Sequence, residues 1–203
     1  MASGENSRKD AGAEKDVRKV HQGGRKVPRK EGVNPMTVFD LGSYCGLYCG
    51  ACEIVAAHKK ALETGVPARW EDLPAALRDN IDPAPIECRG CRTDSLYEGC
   101  RRCGIRACAA EKKVEVCILC SKYPCKLVNE RLQMVERIKS IMPHCAVMFK
   151  NLDSIKEKGF DFWLEEQQKK WSCPECGTPF TWYQEKCEKC GRELESIKDH
   201  NKY

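Results

Sequence analysis

Sixteen of the 203 residues are cysteine, and thiols this frequent can pair as disulfides, hold metal ions or carry redox chemistry. Their spacing separates the options. Cys173 and Cys176 stand two residues apart, ten residues follow, and Cys187 and Cys190 repeat the pair. Two residues between ligands let a tight turn aim both sulfurs at one ion, and Gly177 and Gly191 can take the positive φ that brings backbone N–H groups toward thiolates. Four sulfurs in this pattern suit tetrahedral zinc. With every position filled by protein, none is left for an activated water, so the expected role is structural or a docking surface. Thr178 to Tyr183 is rich in β-branched and aromatic residues and predicts a hairpin strand between the two knuckles, hence a zinc ribbon.

A second constellation lies upstream. Cys100, Cys103 and Cys108 recur 17 residues later as Cys117, Cys120 and Cys125, and Cys91, Cys108 and Cys125 follow the same step. Before them stand Cys88 and the trio Cys45, Cys49 and Cys52. One partition groups Cys45, Cys49, Cys52 and Cys88 at one site and Cys108, Cys117, Cys120 and Cys125 at another. A different one joins the Cys88 and Cys91 pair to Cys100 and Cys103 and leaves the trio incomplete. Eleven cysteines do not divide by four, and a twelfth ligand has to be sought at Cys145, His58 or His144. Thiolate sets of this kind hold zinc or iron–sulfur clusters. The interlaced repeat is shared with two-cluster ferredoxins, whose spacing of two, two and three residues is absent. The trio matches the three-cysteine spacing of radical S-adenosylmethionine enzymes, but no βα repeat follows to build their barrel. Asp40, Tyr44, Tyr48 and His58 flank the trio as candidates for lining a pocket.

Around these ligands the chain must supply rigid elements. Residues 52–64 predict a helix closed by Gly65, and 70–79 a second one with Trp70, Leu73 and Leu77 on one face. Residues 126–142 place Val128, Leu132, Val135, Ile138 and Met142 at helical spacing and stop at Pro143; residues 159–171 predict another helix with a charged outer face. Leu, Ile, Val and Phe together make up 38 residues, too few to offset a chain entropy of roughly 1–2 kcal/mol per residue by burial alone. Metal must supply the difference, and structural zinc is worth about 10–16 kcal/mol in small peptides.

Charge divides the chain unevenly. Residues 1–35 carry nine basic and five acidic side chains without an aromatic or a leucine, and predict a disordered basic tail. Between Cys88 and Lys126, nine basic residues face four acidic ones. Such a surplus suits RNA or DNA, and equally offsets the formal −2 of each four-thiolate zinc site. The chain has neither an export-type apolar leader nor a run of about 18 apolar residues, which excludes a membrane span and predicts a cytoplasmic protein. In a reducing compartment, paired cysteines read as metal ligands before cystines.

The run CGLYCGAC at 45–52, followed by CRGC, CRRCGIRACA, CILC and YPC ending at Cys125, resembles the cysteine-rich bacterial and archaeal family called domain of unknown function 3795, over roughly residues 40–130. The segment GFDFWLEEQQKKWSCPECG is similar to members that append a zinc ribbon. The resemblance implies metal binding in a prokaryotic cytosol and carries no catalytic residue.

The sequence thus predicts an α+β fold: a disordered tail at 1–35, a cysteine-rich metal-binding domain with C-terminal helices at 36–170, and a β zinc ribbon at 171–203. The expected cofactor is zinc in the ribbon and the central array, with an iron–sulfur cluster as the alternative in the array. The expected role is an adaptor for a protein partner rather than an enzyme. An electron-transfer protein and a nucleic-acid-binding zinc protein, using Phe180, Trp182 and Tyr183, are the competing readings.

Overall fold

A computed structural model describes residues 38–197. The basic tail expected at 1–35 lies outside the described residues.

Among the described residues seven α-helices follow one another: α1 (Glu53–Thr64), α2 (Ala75–Arg78), α3 (Glu98–Arg101), α4 (Gly104–Glu111), α5 (Lys126–Ile138), α6 (Val147–Lys158) and α7 (Phe160–Lys170). α1 starts where Cys52 leaves extended backbone and stops at Gly65, whose φ of 72° only glycine adopts without cost. The helix expected over 70–79 is broken. Trp70–Asp72 forms a 3-10 turn, Leu73 and Pro74 are extended, and α2 begins only at Ala75, because the residue before a proline is pushed out of helical geometry. α5 ends at Ile138, whose carbonyl accepts the N–H groups of both Ile141 and Met142 before Pro143 closes the turn. Its buried stripe is Val128 and Val135, while Leu132 lies at the surface.

α6 and α7 meet at Gly159 and pack on one another. Their inner residues Leu152, Ile155 and Trp163 are almost fully buried, with Val116 and Ile197 beside them. This main core also contains Tyr48 and Ala51 from the N-terminal cysteine loop and Trp171, Phe180, Trp182 and Tyr183 from the C-terminal segment. Among the described residues no helix is long and apolar enough to cross a membrane.

The α+β expectation, with its β zinc ribbon, is overturned: the described residues are helical and contain isolated bridges but no strand. The C-terminal segment holds only the bridges Ser172 to Pro179 and Lys186 to Glu193. The reason is where the backbone donors of the expected strand go. Phe180 N–H bonds to Trp171 O and Trp182 N–H to Ala51 O, while Thr181 N–H bonds to the Gln184 side-chain oxygen and Tyr183 N–H to the Glu53 carboxylate. Successive donors serve four different acceptors, so no ladder forms. The aromatic composition marks burial instead of pairing.

Candidate metal centre

The two C-terminal knuckles are built alike. Cys173 N–H bonds to Thr178 O at 2.9 Å and Cys187 N–H to Arg192 O at 2.8 Å. Gly177 and Gly191, at φ 69° and 74°, return their N–H groups to Cys173 O and Cys187 O. Each turn therefore presents two sulfurs on the same side. The sulfurs of Cys173 and Cys190 lie 3.6 Å apart and those of Cys176 and Cys187 3.5 Å apart, and all four fall within 4.8 Å of one another. A tetrahedral ion with metal–sulfur bonds of about 2.3 Å needs sulfurs at nearly this separation.

Electrostatics point the same way. Hydrogen bonds from the Thr178 side chain and backbone hold the Cys176 thiol down at about 6. The N–H groups of Cys190 and Lys189 lower Cys187. At Cys190 the Arg192 N–H pulls down, but desolvation and the three neighbouring sulfurs together push the thiol up to about 12. Thiolates this close repel one another, and a cation among them offsets that repulsion. The donor set is thus complete and chemically matched to one thiophilic divalent ion.

The module is tied to the start of α1. Trp182 N–H reaches Ala51 O at 3.0 Å, and Tyr183 N–H reaches Glu53 Oε1 at 2.8 Å. Trp171 stacks edge-on against Phe180. His144, buried, stacks on Trp182 with ring centroids 4.4 Å apart and hydrogen-bonds the Tyr183 hydroxyl through Nδ1 at 2.7 Å.

The central cysteines divide differently. Among the described residues no further set of three reaches the C-terminal closeness. Cys49 opens a 3-10 turn whose N–H is held by Leu41 O, and Cys52 closes it. Cys45 is fixed by the Ser43 hydroxyl, which lies 3.4 Å from its sulfur. Cys88 is buried among Ile54, Val55 and Tyr97, with Cys49 and Cys52 packed against the same cluster. The Cys91 carbonyl accepts from Arg106 Nε, and Arg131 Nη2 lies 3.7 Å from Cys103 Sγ. Cys108, Cys117, Cys120 and Cys125 line one cavity. Burial raises the thiols of Cys52 and Cys91 to about 12 and Cys117 to about 11, so without a cation they keep their protons.

One regularity was invisible in the spacing. Cys52, Cys103 and Cys125 are the N-cap residues of α1, α4 and α5. Each of these helices directs its positive end at a candidate ligand, which favours a thiolate.

Of the residues flanking the trio, Asp40 accepts the Gly42 N–H at 3.1 Å and Tyr44 lies beneath the Arg92 guanidinium. Tyr48 packs edge-on against Trp163 and His58 lies beside Phe39. Each has a structural partner. Cys145 is buried with its sulfur 3.5 Å from His144 Nε2. Sequence reasoning passed over Glu53, Thr178 and Lys112; Thr178 is signalled only by its place after a knuckle glycine.

No curated protein and no solved structure matches the chain. Residues 41–130, which hold eleven of the sixteen cysteines, match the model of the family described as Protein of unknown function (DUF3795), so the family likeness covers the central array with its capped helices, and the C-terminal four cysteines stand outside it.

Proposed function

We propose that this chain is a cytoplasmic zinc-binding protein whose metal ions are structural, clamping the loops of a small helical fold, and that it acts as an adaptor or binding module for a protein partner. The observation that carries the reading is the convergence of the Cys173, Cys176, Cys187 and Cys190 sulfurs to within 4.8 Å of one another. A closed four-thiolate set holds its ion without offering it to substrate.

The basic surplus of the array supports this over nucleic-acid binding. Arg92 donates to Ser43 O and Glu115 O, Arg101 to Leu96 O and Arg106 to Cys91 O, and both Arg101 and Arg102 pair with Glu98. These cations serve the array's own carbonyls and carboxylates. Phe180, Trp182 and Tyr183 are buried and offer no stacking face to bases.

Metal analysis of protein purified without oxygen, with an absorption spectrum, tests the proposal. A colourless protein with at least two zinc ions per chain is expected. A brown protein, or one with fewer than two metal ions, overturns it.

A further inference from the structure

We infer that Cys108, Cys117, Cys120 and Cys125 form a second mononuclear site for one thiophilic divalent cation, separate from the remaining cysteines of the array. This rests on the metal-clamp reading and goes beyond it by assigning ligands to one ion.

The four residues arrive from three elements. Cys108 lies on α4, Cys117 opens a 3-10 turn that Cys120 closes, and Cys125 caps α5. The turn is pinned from outside by Cys117 N–H bonding to Tyr44 O at 2.9 Å, and continued by Tyr123 N–H bonding to Cys120 O. The four cysteines line one cavity of about 20 Å³ over an apolar floor that includes Ile105 and Leu127. A space of that size takes a single water-sized particle, for which about 10–15 Å³ suffices. Binding draws the four sulfurs inward onto the ion, since they frame the cavity more widely than the C-terminal four.

The surroundings match a four-thiolate zinc complex of charge −2. Lys112, at the end of α4, lines the same cavity as the four cysteines and brings a positive charge to it. The α5 N-terminus meets the site at Cys125. The 17-residue repeat thereby acquires a physical meaning. Cys108 ends the first repeat in sequence but lines a cavity with the second in space.

The full chain loaded with cadmium-113 tests this without mutation, because scalar coupling links each cadmium to the β-protons of its own cysteines. The inference requires one cadmium signal coupled to Cys108, Cys117, Cys120 and Cys125 together. It is overturned if any of the four couples to a cadmium shared with Cys45, Cys91, Cys100 or Cys103, or if the four show no coupling. The signal from Cys173, Cys176, Cys187 and Cys190 appears or fails in the same spectrum, so loss of the C-terminal centre is read independently. As a second readout, Cys117→Ser with Cys120→Ser should lower bound zinc by one equivalent per chain and leave any visible absorbance unchanged. An unchanged zinc content, or a loss of iron colour, overturns the assignment.

Discussion

Glu53 accepts the backbone N–H of Tyr183 at 2.8 Å, 130 positions away in sequence, and so ties the first turn of α1 to the loop between the two C-terminal knuckles. Glu53 is buried and its Oε2 has no partner. Burial pushes its carboxyl up to about 7, against the lowering by the Tyr183 and Glu53 N–H groups.

Replacing this residue separates its acceptor role from its charge. Glu53→Ala leaves the Tyr183 N–H buried without an acceptor and should cost about 1–3 kcal/mol. Glu53→Gln keeps an oxygen in place and removes the titrating group, so its cost at neutral pH should be under about 1 kcal/mol by the same accounting. Denaturant midpoints of the two variants at pH 7 check this; equal losses would show that the hydrogen bond is not what the carboxyl contributes.

His144 sets an acid limit. Burial lowers its imidazole from 6.5 to about 4, so the unfolded chain takes up the proton at a higher pH than the native one. Its contribution is intact above pH 6.5 and is lost as pH falls toward 4, by about 3 kcal/mol in full. His144→Phe preserves the stack on Trp182 and cannot be protonated. Metal release in acid is shared by both proteins, so the fall in stability between pH 7 and pH 5 should be smaller in the variant by about 2 kcal/mol. Parallel curves would remove the imidazole as the cause.

Removal of metal should be visible in tryptophan fluorescence. Trp171 and Trp182 are buried in the same core as Trp163 and flank the C-terminal knuckles. A structural zinc site is worth about 10–16 kcal/mol of folding energy, more than the burial of two indoles supplies, each worth roughly 3–5 kcal/mol by truncation. Strong chelation is expected to shift the emission to the red, and added zinc to restore it. An unmoved spectrum would mean that the aromatic core holds the segment by itself.

What the sequence made legible follows from range. The knuckle turns and α1 are written in neighbouring residues: Gly177 and Gly191 sit where the left-handed turn falls, and Gly65 stops α1 as expected. The segment from Thr178 to Tyr183 was misread because its aromatic and β-branched residues signal burial, and burial here comes from Ala51 and Glu53, more than a hundred positions distant. α6 was passed over although Met148, Leu152 and Ile155 stand at helical spacing along it and Leu152 and Ile155 are among the most buried side chains. The sharing of ligands in the array was open because Cys108 belongs to one repeat by spacing and lines a cavity with the next.

Gly46 and Gly65 offer a controlled comparison of what the N-terminal cysteine loop requires. Both have positive φ, 86° and 72°. A side chain at Gly65 would meet nothing within 4 Å, whereas a Cβ at Gly46 would lie 2.6 Å from Met148 O and 2.9 Å from Leu152 Cγ. Gly65→Ala therefore pays only the left-handed backbone cost, about 1–2 kcal/mol. Gly46→Ala adds an overpacking cost of about 1–3 kcal/mol, because α6 is held against the loop by Asn151 Nδ2 donating to Gly46 O at 2.8 Å. Its displacement moves Cys45, the adjacent residue, so the variant should also make the Cys45 thiol more reactive toward an alkylating reagent in metal-free protein. Denaturant midpoints and the alkylation rate of that residue, read by peptide mass, check both effects. Equal destabilisation by the two substitutions would show that the loop is not seated on α6.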